Sequence, residues 1–313
     1  MVARLNWAPA LRRRISEVAN SWSLVVLIFL VTALVWAARR YSATGMILTV
    51  DKAHRIFVAS CQPIPGFMEA MSMPFEVRDA KELDALAPGN IVDFTLEVDG
   101  STSFAQNVKL HPYVSAEQDP WLARQLKLLK SLSNPNQPAP KRLAVGSTVP
   151  NFTLTDQARR QVSFSQFAGK VVVLNFIYTS CALPTFCFRT ANNFGVLQRR
   201  LKDHLGHDLI LLTISFDPQR DTPEVLARYA ETWKADPHTW HFLTGPLPEV
   251  RRVTTMFGMD FFPDEGLMNH SLHSVVIDRE GKIVANVEGN QYTADQLQDL
   301  VTTSLCAKAV PHR

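Results

Sequence analysis

The stretch that decides the fold runs from Val171 to Cys187 and reads VVVLNFIYTSCALPTFC. It opens with VVVLNFI, which carries no charge, and it contains two cysteines, Cys181 and Cys187, with five residues between them. A short apolar run rich in β-branched residues is typical of a strand buried on both faces. The segment from Phe188 to His204 has the apolar spacing of a helix. The cysteines are therefore predicted to lie where a central strand passes into a helix.

A thiol at this position is chemically activated, because the dipole and free N–H groups of a helix N-terminus favour the thiolate. The remaining pattern of residues 146–313 alternates apolar strands with helices, one of them capped by Thr222. A hairpin that turns at Glu280-Gly281 and a closing helix follow. This order predicts a thioredoxin-like α/β sandwich for the C-terminal domain.

Length and composition limit the number of domains and the classes of function that the chain can have. A chain of 313 residues predicts two folded modules with additional segments. The net charge is only +3 and the basic residues form no long tract, so nothing favours nucleic-acid binding. Two of the four cysteines, Cys61 and Cys306, are solitary, which argues against a disulfide scaffold. Cys306, in the last predicted helix, is expected to be a small buried residue.

The N-terminal region carries the signals of a membrane anchor. Residues 1–21 are polar and basic and are predicted to be cytoplasmic, whereas residues 22–38 form an uncharged apolar run. This run is near the lower limit of about 17 residues for a bilayer span, and Trp22 and Trp36 lie near its ends. We favour an uncleaved single-pass anchor over a cleaved signal peptide. The bulk of the chain is then expected in the periplasm, on a bacterial inner membrane.

Residues 43–112 are predicted to form a small β-barrel, because short alternating runs are separated by Pro, Gly and Asp turn signals. Within it, Met68, Met71 and Met73 follow closely after Cys61. Met71 and Met73 would point to the same side of a strand. Methionines often only fill a core, but thioether and thiolate groups are also the soft ligands that select Cu(I). Core packing and copper binding therefore both stay open.

The segment MEAMSM, residues 68–73, resembles the end of the CusF-type copper-binding module of bacterial periplasmic proteins. That family has a His, a proline-containing loop and then Trp-x-x-Met-x-Met. The resemblance implies Met71 and Met73 as thioether ligands, with Cys61 in the place of the His and Met68 in the place of the Trp. A cysteine keeps a soft donor but adds charge, and loss of the Trp removes a cation–π cap.

Four separated stretches of the C-terminal domain, FIYTSCALPTFC, ISFDPQRDTPEVL, WHFLTG and NHSLHSVVIDREGK, together resemble the Sco/SenC family. These are membrane-anchored thioredoxin-fold proteins that bind copper and help to assemble the dinuclear copper centre of cytochrome c oxidase. The resemblance implies Cys181, Cys187 and His270 as copper ligands. The chain departs from the family's common spacing of three residues between the cysteines, and Ala182 replaces a proline.

The resemblance implies a metallochaperone whose cargo is copper, as Cu(I) with Cu(II) as a second oxidation state. Its expected partner is the cytochrome c oxidase subunit with the dinuclear copper centre, and other periplasmic copper or thiol proteins are further candidates. Cys181 and Cys187 would also act as a redox pair, because a disulfide between them would release copper. The alternative is a thioredoxin-type thiol–disulfide oxidoreductase without an obligatory copper role, although the chain lacks a Cys-x-x-Cys motif. Whether the protein is an enzyme stays open.

The linker and the other polar residues are predicted to have structural rather than chemical roles. Residues 113–145 are predicted to be a linker, with one amphipathic helix over Trp121–Leu132 and a Pro- and Asn-rich end. Asp217 and Asp221 are expected to cap the helix that follows them. The other histidines of this domain show no ligand pattern and are expected at the surface: His204, His207, His238 and His241.

Overall fold

The computed structural model describes residues 39–100, 102–111, 142–181, 186–259, 261–264 and 267–307. The predicted cytoplasmic segment (1–21), the predicted anchor (22–38) and most of the predicted linker (113–145) lie outside these residues. Over the part of the chain that is described, no helix is long and apolar enough to cross a bilayer.

The first module is an antiparallel sheet of five strands in the order β3-β2-β1-β4-β5. Its strands are β1 (Arg39–Asp51), β2 (Ile56–Cys61), β3 (Met71–Glu76), β4 (Ile91–Asp99) and β5 (Thr102–Leu110). The prediction of a barrel is wrong, because the sheet does not close. Among the described residues, one isolated bridge from Val77 to Ala105 joins the β3 end of the sheet to β5, and no ladder forms there. Strand β3 has six residues and forms a ladder with β2, but it is too short to form a second ladder with β5, which closure of a barrel would require.

The inner face of this sheet holds a small aromatic core. Phe57, Phe75 and Phe94 contact one another with ring centroids 4.9–5.5 Å apart. Along β2, Phe57, Ala59 and Cys61 are buried on this inner face, as the alternation of a strand requires. The end of β2 at Cys61 is therefore part of the folded core.

The second module is a seven-stranded mixed sheet in the order β14-β13-β8-β9-β10-β6-β7. Strands β8, β9 and β10 are parallel, and the other strand pairs are antiparallel. Its strands are β6 (Thr153–Asp156), β7 (Gln161–Ser163), β8 (Val171–Ile177), β9 (Leu209–Ser215), β10 (Trp240–Thr244), β13 (His273–Ile277) and β14 (Ile283–Glu288). A separate hairpin, not predicted from the sequence, is formed by β11 (Phe261–Asp264) and β12 (Leu267–His270). Every residue of β8 is buried, as VVVLNFI predicts.

Among the described residues, four α-helices accompany this sheet: α1 (Cys187–Arg200), α2 (Pro223–Thr232), α3 (Leu247–Met256) and α4 (Ala294–Cys306). The expected cap at Thr222 is confirmed, since its side chain accepts a hydrogen bond from the Val225 N–H. Because Thr222 is the N-cap residue, the expectation that Asp217 and Asp221 cap α2 is wrong. Parallel strands joined by helices, with an antiparallel hairpin and a last helix, confirm the predicted thioredoxin-like fold.

The two modules pack against each other through β1. Ala43 and Ile47 of this strand face the core of the first module, whereas Met46 and Leu48 belong to the apolar core of the second. Gly89 lies against β14, where an added Cβ would come within 2.8 Å of the Ala285 Cβ. Helix α4 also contacts β1 and β2. The first module therefore packs against β14 and α4 of the second module.

Candidate metal centre

The paired cysteines lie at the end of the central strand. Strand β8 ends at Ile177, Cys181 follows in a loop with its side chain half-buried, and Cys187 is the first residue of α1 and only 1 % exposed. Cys187 thus sits at a helix N-terminus, which favours a thiolate. The residues between them, 182–185, lie outside the described ranges.

Two phenol groups border the thiol pair. The pKa of Tyr178 is raised by burial and, in addition, by the charges of Cys181 and Cys187 and a hydrogen bond with Cys181. Burial also raises the pKa of Tyr229, and the nearby charge of Cys187 adds to this effect. Both phenols therefore remain protonated at neutral pH, so that the Tyr178 hydroxyl is available to donate a hydrogen bond to a thiolate.

His270 reaches this region from the last position of β12. Its ring centroid lies 4.8 Å from that of Phe216 and 5.6 Å from that of Tyr178. Its Nδ1 is 3.0 Å from the Ser271 carbonyl oxygen. A carbonyl only accepts hydrogen bonds, so Nδ1 carries the proton and Nε2 keeps the lone pair that a metal would use. A backbone contact of this kind also orients the ring of a ligating histidine.

The structure places the predicted ligands around Tyr178, but their side chains do not meet at a single metal position. Tyr178 contacts Cys181 through its hydroxyl and packs edge-on against the His270 ring. Within the described ranges, no three His, Cys, Asp or Glu side chains are close enough together to hold a metal ion. Two thiols and an imidazole are nevertheless a soft donor set that suits Cu(I). Binding would require these side chains to converge.

Asp221 is a site residue that the sequence interpretation missed. Its buried carboxylate accepts hydrogen bonds from the Thr179 N–H at 3.1 Å and the Thr179 hydroxyl at 2.5 Å, and another from the Ser215 hydroxyl. Burial outweighs these bonds and raises the pKa of Asp221. The carboxylate thus fixes the loop two residues before Cys181. The available signal was a carboxylate six residues beyond β9, a strand whose sequence LILLTIS is mostly apolar.

The second candidate site lies at one end of the first sheet. Cys61 is buried, and Met71 stands directly opposite on β3 with half of its surface exposed. Met73 is half-buried two residues along the same strand, and Met68 is half-buried before it. An added Cβ at Gly45 would lie 3.1 Å from the Cys61 sulfur, so the glycine leaves room for the thiol. Burial raises the pKa of Cys61 to about 12. The structure therefore brings a neutral thiol and thioether side chains to one place.

Two further expectations about exposure are wrong. Cys306, expected in the core, is exposed because it is the last residue of α4. His241, expected at the surface, is buried on β10, with its Nδ1 3.4 Å from Asp156. The five-residue strand β10 is central and buried throughout, which overrides the polarity of this residue. His207 and His238 are exposed as expected, and His204 is half-buried.

The fold and these side chains define a thioredoxin-fold protein with paired cysteines at the end of its central strand. The profile of the SCO1/SenC family matches residues 141–304, just over half of the chain. The chain therefore belongs to the SCO1/SenC family. The profile described as copper binding periplasmic protein CusF matches residues 40–112. This second match identifies copper as the metal that the chain handles.

The chain is also similar to individual proteins and to solved structures. The chain is 27% identical over 175 residues to a SCO2-like protein of Rickettsia typhi, covering 51% of this chain and 81% of the relative. It is 27% identical over 144 residues to a putative copper-binding protein of Stutzerimonas stutzeri, covering 44% of this chain and 68% of that protein. Among solved structures, yeast Sco1 with copper bound is 26% identical and covers 53% of this chain and 91% of its own, with a TM-score of 0.45.

Proposed function

We propose that the protein is a membrane-anchored periplasmic copper chaperone that serves the dinuclear copper centre of cytochrome c oxidase. In this proposal Cys181, Cys187 and His270 hold Cu(I) as cargo, and Cys61, Met71 and Met73 form a second site, with Met68 at its border. The oxidase subunit that carries the dinuclear centre is the proposed recipient. Other periplasmic copper or thiol proteins are further candidates.

One observation supports this proposal above all others, namely the placement of three soft donors around one buried phenol. Tyr178 is hydrogen-bonded to Cys181, interacts electrostatically with Cys187 and packs against the His270 ring. The donors come from a strand end, a helix start and a separate hairpin, so the site depends on the folded second module. Two thiolates and one imidazole suit Cu(I) better than they suit harder ions.

Thiol–disulfide exchange is the second candidate function, and the same cysteines would perform it. A thiolate would attack a partner disulfide, and the second thiol would resolve the mixed disulfide. The partner would gain two thiols while this chain formed a Cys181–Cys187 disulfide, so that two electrons and two protons pass to the partner. Cys187 lies at the N-terminus of α1 but is buried, whereas Cys181 is more accessible but lies outside the helix. The thiol that is activated by the helix is therefore not the thiol that a partner can reach most easily, which disfavours rapid thiol–disulfide exchange.

The proposed anchor at 22–38 would place both modules on the periplasmic face of the inner membrane. The exposed Cys306 offers a direct test in a Cys181→Ser/Cys187→Ser background, because Cys61 is buried. A membrane-impermeant maleimide should label Cys306 in intact spheroplasts, and the protein should stay with the membrane fraction. Labelling only after lysis would contradict this orientation.

Anaerobic Cu(I) titration of the purified full chain tests the copper assignment. The wild type should bind about one Cu(I) at each intact site, and Cys181→Ser/Cys187→Ser should lose the copper of the second module. X-ray absorption should then report sulfur ligation alone from the copper that remains. Cys306→Ser is the matched control and should change nothing, since this exposed cysteine is at the end of α4.

Two results would overturn the copper assignment. Unchanged stoichiometry in Cys181→Ser/Cys187→Ser would exclude these cysteines as ligands. A wild-type protein that binds no Cu(I), yet rapidly reduces a disulfide substrate through Cys181 and Cys187, would favour the oxidoreductase.

A further inference from the structure

A single carboxylate of the second module joins two strands of the first. The Ser60 hydroxyl on β2 donates a hydrogen bond to Asp299 Oδ2 at 2.7 Å, and the Ser72 hydroxyl on β3 donates to the same oxygen at 2.6 Å. One turn earlier on α4, the Gln296 side chain donates to the Ser60 carbonyl at 3.1 Å. Helix α4 thus holds both strands from outside the sheet.

The two serines form a cross-strand pair in the middle of the candidate sulfur site. Ser60 pairs with Ser72, and the next pair along the ladder is Cys61 with Met71. On the other side of Ser72 is Met73, opposite Ala59. Adjacent residues of a strand point to opposite faces, so the serines face α4 while the sulfur side chains face the other way. Asp299 therefore lies behind the candidate copper ligands.

This contact matters because β3 is a short edge strand. It has six residues, and its neighbour on one side is β2. Edge strands with one neighbour are the most easily displaced part of a sheet. Hydrogen bonds to a carboxylate are stronger than those between neutral groups. Two such bonds that end on one oxygen fix the separation and the register of β2 and β3 at Ser60 and Ser72.

The position of α4 is itself set by the second module. Gln296 closes a capping box with Thr293 at the start of the helix, and its side chain is buried. The ion pair between Arg200 at the end of α1 and Asp295 lies at the surface and contributes little to this position. Helix α1 begins at Cys187, so one packed helix pair contacts both candidate copper sites.

We propose that Asp299 is a positioning residue for a Cu(I) site formed by Cys61, Met71 and Met73. The inference rests on the second site of the proposed function. The second module then acts as the outer support of the metal site of the first, and copper affinity there depends on the contact between modules. By linkage, Cu(I) bound at Cys61 tightens the contact between β2, β3 and α4 by the same free energy.

The test uses the full chain in a Cys181→Ser/Cys187→Ser background, so that copper binds only at the first module. Affinity is measured by competition with a chromogenic Cu(I) chelator, and sulfur coordination by X-ray absorption. Asp299→Ala should weaken Cu(I) binding by about tenfold or more, as loss of an outer-sphere partner does, and should lower the sulfur coordination number. Ser72→Ala removes one bond from an exposed residue and should weaken binding by about fivefold, whereas Ser72→Thr should keep the affinity.

The matched control is Asp295→Ala, which removes another acidic side chain of α4 that pairs with Arg200 rather than with the first module. It should leave the affinity unchanged. If Asp299→Ala fails to fold, Ser72→Ala and Ser72→Thr still decide the question. Equal affinity and sulfur coordination in Ser72→Ala, Ser72→Thr and the parent would overturn the proposal.

A parent that binds no copper would also overturn the proposal, because there would be no site to position. The wild-type titration would still report copper at Cys181 and Cys187 independently. Failure of this inference is therefore distinguishable from failure of the chaperone function.

Discussion

Replacement of Asp221 by alanine tests how firmly the loop before Cys181 is held. The carboxylate accepts three hydrogen bonds, two from Thr179 and one from Ser215. At about 1 kcal/mol net for each bond, their loss would cost about 3 kcal/mol. Burial of a charge offsets part of this gain, since it raises the pKa of Asp221. We therefore expect Asp221→Ala to lower the free energy of unfolding by about 2–3 kcal/mol.

Urea unfolding of the full chain under anaerobic conditions measures this loss as a shift in the transition midpoint at unchanged slope. Amide hydrogen exchange at Thr179 should accelerate at the same time, because its N–H loses its acceptor. Ser215→Ala removes one of the three bonds and should cost about 1 kcal/mol. Copper affinity at Cys181 should fall in Asp221→Ala although no proposed ligand has been removed.

The control variant is Asp203→Ala, which removes an exposed aspartate of the same domain and should be nearly neutral. The reasoning would be refuted if Asp221→Ala stayed within about 0.5 kcal/mol of the wild type and left exchange at Thr179 unchanged. The loop would then be held by its own backbone, and Asp221 would have no part in positioning Cys181.

Two further perturbations test other parts of the fold. Burial disfavours ionisation of Asp156, but hydrogen bonds from Arg160 and its charge outweigh burial and lower the pKa of this carboxyl. Asp156→Asn should therefore lower the free energy of unfolding by about 2 kcal/mol at pH 7. In thermal unfolding, the stability difference between wild type and variant should disappear as pH falls below about 4, because a carboxyl with a depressed pKa loses its stabilisation on protonation. A stability difference that persists at low pH would contradict this. Gly89→Ala should destabilise by about 2–3 kcal/mol, because φ is +85° and the new Cβ would meet Ala285 at 2.8 Å. Gly66→Ala, with φ of +75° but no atom within 4 Å, isolates the backbone strain and should cost about 1 kcal/mol in urea unfolding.

Much of the second module was predictable because its signals are local. An uncharged β-branched run predicts the buried strand β8, and Thr222 predicts the start of α2. The hairpin β11–β12 was missed because no alternating run of clear length marks its four-residue strands. The failure of the barrel prediction has a similar cause. Closure depends on how far β3 extends past Glu76, and turn signals do not encode that length.

The candidate sites were predictable as residue types but not as an arrangement. The cysteine pair and His270 follow from motifs, whereas the phenol of Tyr178 that they share depends on the tertiary fold. The role of Asp221 was hidden for the same reason, since Thr179 is 42 residues away in sequence. The contact of Asp299 with Ser60 spans 239 residues and two modules, which no local pattern could indicate.

The burial of β1 on both faces has a consequence for synthesis. Translation delivers the first module before the second, and domains commonly begin to fold in that order. Met46 and Leu48 have no cover until α4 and β14 have emerged, about 240 residues later. The nascent chain therefore carries an apolar strand face through most of its synthesis. A chaperone that binds this face during synthesis would keep the first half of the chain from aggregating until the second half has been made.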